Sequence, residues 1–408
     1  MLRSLRLAWL SLVRQPARAA LGVLGVAAVG ALLFDMLLLS RGLVLSFGDL
    51  LERSGFDVRV LATDAAPFSG PGIEDATRVA ARLAALPGLE AVLQLRVRDA
   101  QLVESSVDPG ESPATLRRID FIGADPQVRS MWTIVEGEDL HDRPGGEAAA
   151  VVNQYLARRL GIAVGAELSL RGRCDGGSDA LPAVRFRVVG IADFPFDSAT
   201  ARTVAGTLSA ADRLCGVEAR DRSEMLLVRS RPDVGAFAAA AAIRAAHPGL
   251  HVVTNEELIE RFSRVEFSYF RQISAVLAAV TLFFGFLLIA VLLTVSVNQR
   301  LGEIAALRAV GLSRSRVIAG VLWESVMLVG AGGLLALPLG FALSIWLDGI
   351  LRTLPGLPAD LHFFVFEPRA LYVYLVLLTV ASIGAAAYPM RIVAVLPIAA
   401  TLRREVVS

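Results

Sequence analysis

The sequence predicts an α-helical membrane protein with four transmembrane helices and a large α+β extracytoplasmic domain between helices 1 and 2. Three observations predict it. Of 408 residues, 55% are hydrophobic, too many for an ordinary soluble chain, while 19% are charged, too many for a chain lying wholly in a membrane. Four apolar windows reach the roughly 20 residues needed to cross a hydrocarbon core about 30 Å thick. Between the first and second window, strand-like and helix-like runs alternate in a segment of ordinary polarity.

In residues 1–18, Leu2, Leu5, Trp9, Leu12 and Val13 share a helical face opposite Arg3, Arg6 and Arg14. This predicts an amphipathic interfacial helix on the cytoplasmic side, with Pro16 breaking the pattern. Residues 19–40 form the first transmembrane helix. Their apolar run is too long for a signal-peptide core, and no Ala-x-Ala site follows. The block 41–270 is the α+β domain, in one or two lobes. Strand-like runs fall at 56–62, 89–97, 119–123, 167–171 and 184–191, and a helix at 73–86 stops at Pro87-Gly88. Residues 149–160 read as a strand followed by a helix, and 234–253 as a helix, a Pro248-Gly249 turn and a strand. Asn255, with Glu256 and Glu257 behind it, predicts the start of a helix running into the second span. Then come the transmembrane helix 271–297, a short loop 298–316, the transmembrane helix 317–347, a loop 348–369, the transmembrane helix 370–390 and the tail 391–408.

Arginine in the short flanks sets the orientation. Residues 1–18 carry Arg3, Arg6, Arg14 and Arg18 with no acid, and the 298–316 loop carries Arg300, Arg308, Arg314 and Arg316 against Glu303. The 348–369 loop has Arg352 and Arg369 against Asp348, Asp360 and Glu367. Both termini and the 298–316 loop are therefore expected in the cytoplasm, and 41–270 outside.

All forty basic residues are arginine. The absence of lysine excludes a Walker A loop and Schiff-base chemistry from this sequence. A net charge of +1 gives no argument for a nucleic-acid partner. The strongest local signal is the 298–316 loop. On a helical period Leu301, Ile304, Ala305 and Leu312 fall on one side, and Glu303, Ala306 and Val310 on the other. Gly311 suits the position after a helix end, and Ser313 can cap the next helix. Such a segment is either a grip for a soluble partner or a passive turn joining two spans. His247 and His251 have zinc-like spacing, but Pro248-Gly249 between them breaks the helix such a pair needs, and no metal site is expected. Cys174 and Cys215 both lie in the exported block, where a bridge is chemically permitted. Asp35 and Glu324 sit near expected span ends, where interfacial water would solvate them. Gly330, Gly332, Gly333, Ala336 and Gly340 allow close packing of the third span, either within the chain or across a dimer.

The run from Arg300 to Gly311, entered from one span and followed by another, resembles the cytoplasmic loop of FtsX/MacB-type ABC transporter permeases. The closing Ala387-Tyr388-Pro389, Leu396-Pro397-Ile398 and Leu402-Arg403 are similar to that family's end. So are Trp132–Gly137, Ala150–Gly165 and Phe186–Gly190 to its extracytoplasmic core. The resemblance implies a non-catalytic permease subunit of an ATP-driven transporter in a bacterial inner membrane. It implies a separate ABC ATPase dimer that binds the ATP, a second permease copy or paralogue, contact with membrane lipids, and in some members a periplasmic adaptor. Carried onto this sequence, Arg300, Glu303, Ala306, Leu307, Arg308 and Gly311 would make the contact with the ATPase. No cofactor and no catalytic residue are expected in the chain itself. The substrate would be a lipid, lipoprotein, peptide or drug moved by mechanotransmission. The alternatives are an FtsX-like mechanotransmitter activating a cell-wall hydrolase, or a membrane-anchored sensor or scaffold without ATP coupling. A secondary transporter fits poorly, because no buried charge pair is visible in the spans.

Overall fold

The structure is a computed structural model. It describes residues 13, 16–65, 70–103, 118–140, 148–173, 181–215, 221–264, 268–299, 301–302, 304–305, 313–352 and 357–395. The chain divides into two compact units, a helical one (1–45, 265–351 and 362–408) and a sheet-based one (46–264 and 352–361).

Four long helices dominate the helical unit: α1 (Pro16–Arg53, whose last residues from Ser46 on count with the sheet unit), α7 (Ser268–Gln299), α8 (Arg314–Leu351) and α9 (Pro368–Val395). Each contains a stretch long and apolar enough to cross a membrane. Their ends run past the expected spans by up to a dozen residues or so, because helical hydrogen bonding continues where the apolar window stops. Pro16, expected as a breaker, is the first residue of α1. At that position the missing N–H costs nothing and the fixed φ favours the helix. Pro338 lies inside α8 without ending it.

The glycine stripe of the third span packs within the chain. A Cβ on Gly332 would lie 2.7 Å from Val26 of α1, one on Gly333 would meet Leu378 of α9, and one on Gly340 would meet Phe34. Ala336 is fully buried in the same seam, whereas Gly330 has open space beside it. At Gly42 of α1 the obstacle is backbone: a Cβ there would lie 2.3 Å from the Phe363 carbonyl oxygen and 2.7 Å from the Val365 nitrogen.

Among the described residues the sheet unit holds ten strands: β1 (Val58–Leu61), β2 (Leu89–Leu102), β3 (Arg118–Ala124), β4 (Thr133–Gly137), β5 (Ala148–Asn153), β6 (Glu167–Gly172), β7 (Val184–Asp193), β8 (Thr203–Thr207), β9 (Met225–Ser230) and β10 (His251–Thr254). They form one sheet in the order β10-β1-β9-β2-β3-β8-β5-β7-β4, with β6 pairing both β2 and β7. Strands β2, β3, β8, β5, β7 and β6 therefore close into a ring. Most pairs are antiparallel, while β3–β8 and β5–β7 are parallel. Phe121, Phe186, Leu168, Leu170 and Val188 fill one core beside this ring, covered by α3 (Gln154–Leu160) and α4 (Leu208–Cys215). Val58, Val60, Leu226 and Val228 form another under α2 (Ala76–Ala84) and α5 (Ala236–Ala246). The expected one or two lobes are thus two arms of a continuous sheet, joined because the long β2 runs through both.

Several expectations are corrected in detail. The helix expected at 73–86 is shorter, because Ile73 pairs with Ser223 as an isolated bridge. Asn255 is the first residue of α6 (Asn255–Arg264) but not its cap. Thr254 and Glu257 form the capping box, with the Glu257 N–H donating to Thr254 Oγ1 (3.2 Å) and the Thr254 N–H to Glu257 Oε2 (3.0 Å). The Asn255 side chain turns inward, donates to the Phe56 carbonyl at 3.0 Å and accepts from Arg59. The loop drawn as 348–369 is not a free connection. Its residues 352–361 belong to the sheet unit, where the Ala359 N–H donates to the Asp197 carbonyl (2.7 Å) and Arg352 to the Ala359 carbonyl (2.8 Å).

Candidate functional site

Arg300, Glu303, Ala306, Leu307, Arg308 and Gly311, the residues expected to meet an ATPase, lie outside the described residues. Their frame is described. Leu301, Gly302, Ile304 and Ala305 are helical, Ala305 is fully enclosed, and Ile304 is buried against Val297 of α7 and Val321 of α8. Leu301, Val317, Ile318 and Met390 complete that cluster. The apolar side expected for this segment is therefore the side that packs on the spans. Helix α8 starts directly after Ser313, whose carbonyl accepts from the Arg316 N–H (3.1 Å) and whose hydroxyl lies 3.2 Å from that of Ser315.

From this segment a line of polar contacts follows the buried face of α8. Ser296 of α7 donates to Glu324 (2.8 Å), and the hydroxyls of Ser325 and Ser382 lie 3.0 Å apart. Tyr374, fully buried, donates to the Gly333 carbonyl (3.1 Å). Ser344 donates to Asp35 of α1 (2.5 Å). Asp348 lies 3.0 Å from His362 Nδ1 and accepts from the Phe363 N–H (2.8 Å), and Arg41 pairs with Glu367 (2.7 Å). From residue 324 to residue 348 the helix rises roughly 36 Å, the scale of a bilayer. These contacts tie α8 to each of the other three helices without covering its interior in charge. Asp35 itself is 0% exposed, so interfacial solvation does not describe it. The 19–40 window put it near a helix end, but α1 continues to Arg53.

In the sheet unit, Asp197 gathers three elements. Its carboxylate accepts from Asn153 Nδ2 (2.6 Å) and from Thr203 Oγ1 (2.8 Å), and its carbonyl holds the 352–361 segment. Asn153 is in turn the cap of α3, accepting from the Leu156 N–H at 3.0 Å. Burial pushes the Asp197 carboxyl up to about 6, opposed by the Thr203 and Asn153 hydrogen bonds and reinforced by Asp120 and Asp193. Asp120 and Asp193 are themselves raised, chiefly by burial. Nothing local in the sequence pointed to this group.

Cys215 ends α4 and is not a free thiol. Its expected partner, Cys174, lies outside the described residues. Gly172, two residues before Cys174, approaches so closely that a Cβ there would lie 2.1 Å from the Leu214 carbonyl oxygen. His247 closes α5 and His251 opens β10, where it lies 3.2 Å from Asp64. Among the described residues no group of three or more potential metal ligands occurs.

Four membrane-length helices with a ten-stranded sheet unit inserted between the first and second define a multi-pass membrane protein with a large water-exposed domain. Residues 19–246 match the MacB-like periplasmic core domain, and residues 275–398 match the FtsX-like permease C-terminal. The chain belongs to the FtsX/MacB-type permease family and is an ABC-type permease, a membrane component whose family works with an ATPase subunit. No curated sequence relative matches it. Among solved structures it is similar to the periplasmic region of MacB from Actinobacillus actinomycetemcomitans, at 11% identity over 52% of this chain and 97% of that one, TM-score 0.36. It is also similar to the extracellular domain of the noncanonic ABC-type transporter YknZ from Gram-positive bacteria, at 13% identity over 48% and 98%, TM-score 0.33. Family membership follows from the sequence matches.

Proposed function

We propose that this permease converts the closing of a partner ATPase pair into movement of its sheet unit on the outer side, expelling or extracting an amphiphile such as a lipid, lipoprotein, peptide or drug. Both termini and the 298–316 segment face the cytoplasm, and two permease copies work together. The ATPase grips the segment through Arg300, Glu303, Ala306, Leu307, Arg308 and Gly311, and the long helices act as levers. A ligand-driven closure of this kind shifts a two-state equilibrium and needs no reactive side chain in the permease.

The observation that carries this reading is the seating of the segment's apolar side. Ile304 is buried against Val297 of α7 and Val321 of α8 and Ala305 beside it is fully enclosed, so a push on the opposite side reaches two spans at once. A passive turn needs no such seat. The test is to replace Glu303 and, separately, Gly311 by Trp in the full chain and co-purify the ATPase. Loss of the ATPase with retained membrane insertion is expected; undiminished co-purification with both variants would sink the proposal.

A further inference from the structure

Asp35 is the most deeply enclosed acid among the described residues of the helical unit. It is 0% exposed, its Oδ1 accepts from Ser344 at 2.5 Å, and its Oδ2 has no hydrogen-bond partner among the described residues. Leu33, Phe34 and Leu38 of α1 cluster beside it with Ala336 of α8 and Tyr374 of α9, and Ala278 and Leu282 of α7 pack on that cluster. A carboxylate with one bare oxygen in such surroundings is heavily disfavoured unless a cation faces it.

The described neighbours supply none. Farther along α1, Arg41 is held by Glu367 at 2.7 Å. Helix α8 offers Asp348, already engaged with His362 and the Phe363 N–H. The Tyr374 hydroxyl of α9 donates to the Gly333 carbonyl, and α7 presents Ala278 and Leu282. The connection before α9 adds His362 and Glu367, the partners just named. A neutral carboxylic acid needs no counter-charge, and its carbonyl oxygen still accepts from Ser344.

We propose that Asp35 is a proton-binding site whose occupancy latches α1 to α8. With the helices packed, the proton sits on Oδ2. When α1 and α8 part, water reaches the group, the O–H bond breaks, the proton passes to water and a solvated carboxylate remains. By linkage, rising pH favours the parted arrangement and falling pH the packed one. Ser344 and Asp348 lie one turn apart on α8, so the Asp348–His362 pair marks the end of the seam at which the proton exchanges.

The test uses the full permease in lipid nanodiscs without nucleotide, so its outcome is separable from ATPase coupling. Infrared difference spectra at neutral pH should show the carbonyl band of a protonated carboxylic acid, absent in Asp35→Asn and retained in Asp348→Asn. Over the same pH range the unfolding temperature of the wild type should fall relative to Asp35→Asn by roughly 5 °C as the proton is lost. If Asp35→Asn does not assemble, Ser344→Ala replaces it: removing the donor shifts the band of a neutral acid without abolishing it. Wild-type and variant spectra without any Asp35-dependent acid band, or parallel melting profiles, overturn the proposal.

Discussion

In the sheet unit most large apolar side chains are buried, and two of its largely buried arginines are ion-paired. Arg96, only 4% exposed, lies between Asp212 and Asp221 with Ser223 beside it, and Arg98 pairs with Glu224 at 2.6 Å. In the helical unit the large apolar side chains cover the outside, with Leu334 70%, Phe284 60% and Val380 64% exposed. Its interior mixes glycine, alanine and serine with a smaller set of large side chains, Leu33, Phe34, Leu38, Leu293 and Tyr374 among them, and a few hydrogen bonds. The same residue types are placed oppositely because one unit excludes water from a core while the other faces hydrocarbon, where burial of Leu or Phe gains nothing. Close backbone approach, tight van der Waals packing and interhelical hydrogen bonds hold the helices. The contrast teaches that a mutation's cost in this chain depends on its unit before its residue type.

The largest effect should come from a paired charge in the sheet unit. Arg96→Ala leaves Asp212 and Asp221 without their cation, and a loss of about 3–5 kcal/mol is expected in denaturant melts of the full chain. A cost below about 1 kcal/mol would mean that these acids are solvated and that the unit's interior is wetter than described.

The second test uses pH. Asp197 titrates in the folded unit at about 6 instead of the ordinary 3.8. A raised value means that its contribution to stability is complete below the ordinary value and is lost as pH rises through about 6. The sheet unit should therefore weaken by on the order of 3 kcal/mol between those limits, and no further from this group above them. Hydrogen exchange at residues 148–160 and 357–361, which Asp197 fastens, should accelerate over that window in the wild type and lose the trend in Asp197→Ala. An unchanged pH trend in the variant would move the effect to Asp120 or Asp193.

The smallest expected effect probes the helical unit's reliance on close approach. Gly42→Ala forces a Cβ against the backbone of Phe363 and Val365, which cannot yield as a flexible side chain could, and should cost about 1–3 kcal/mol. Gly330→Ala, with open space beside it, should be neutral or slightly stabilising in the same melts. Equal behaviour of the two would contradict the account of how these helices are held.

Much of the fold was legible because the relevant signals are local. Strand β7 alternates apolar and polar residues, the helix of 149–160 ends on Gly161 in the left-handed region, and the four apolar runs stand out by length. Strands β8 and β9 were not legible. Every residue of β8 and nearly every one of β9 is buried, so neither shows an alternation, and TVAGT carries a glycine that reads as a turn. The late part of β2 hid behind Arg98, Asp99 and Gln101, of which Arg98 finds its ion-pair partner in Glu224, 126 residues away. The candidate coupling residues were proposed by motif; of the two acids that matter most in the described structure, Asp35 was singled out only as an interfacial group and Asp197 not at all. Asp35 depends on Ser344, 309 positions distant, and Asp197 on Asn153 and the 352–361 segment.

The sequence alone determined that four helices would be long and apolar enough to cross a membrane, that an α+β insertion would follow the first, and which family the 300–311 run resembles. Those are properties of composition and short-range periodicity, which act within a few residues. Tertiary structure alone decided that the insertion is one sheet with β6 closing a ring, that the third span's glycines serve contacts inside the chain, and that Asp35 is enclosed. Each of those depends on which distant residues are brought within hydrogen-bond or van der Waals range, a pairing that no local pattern encodes.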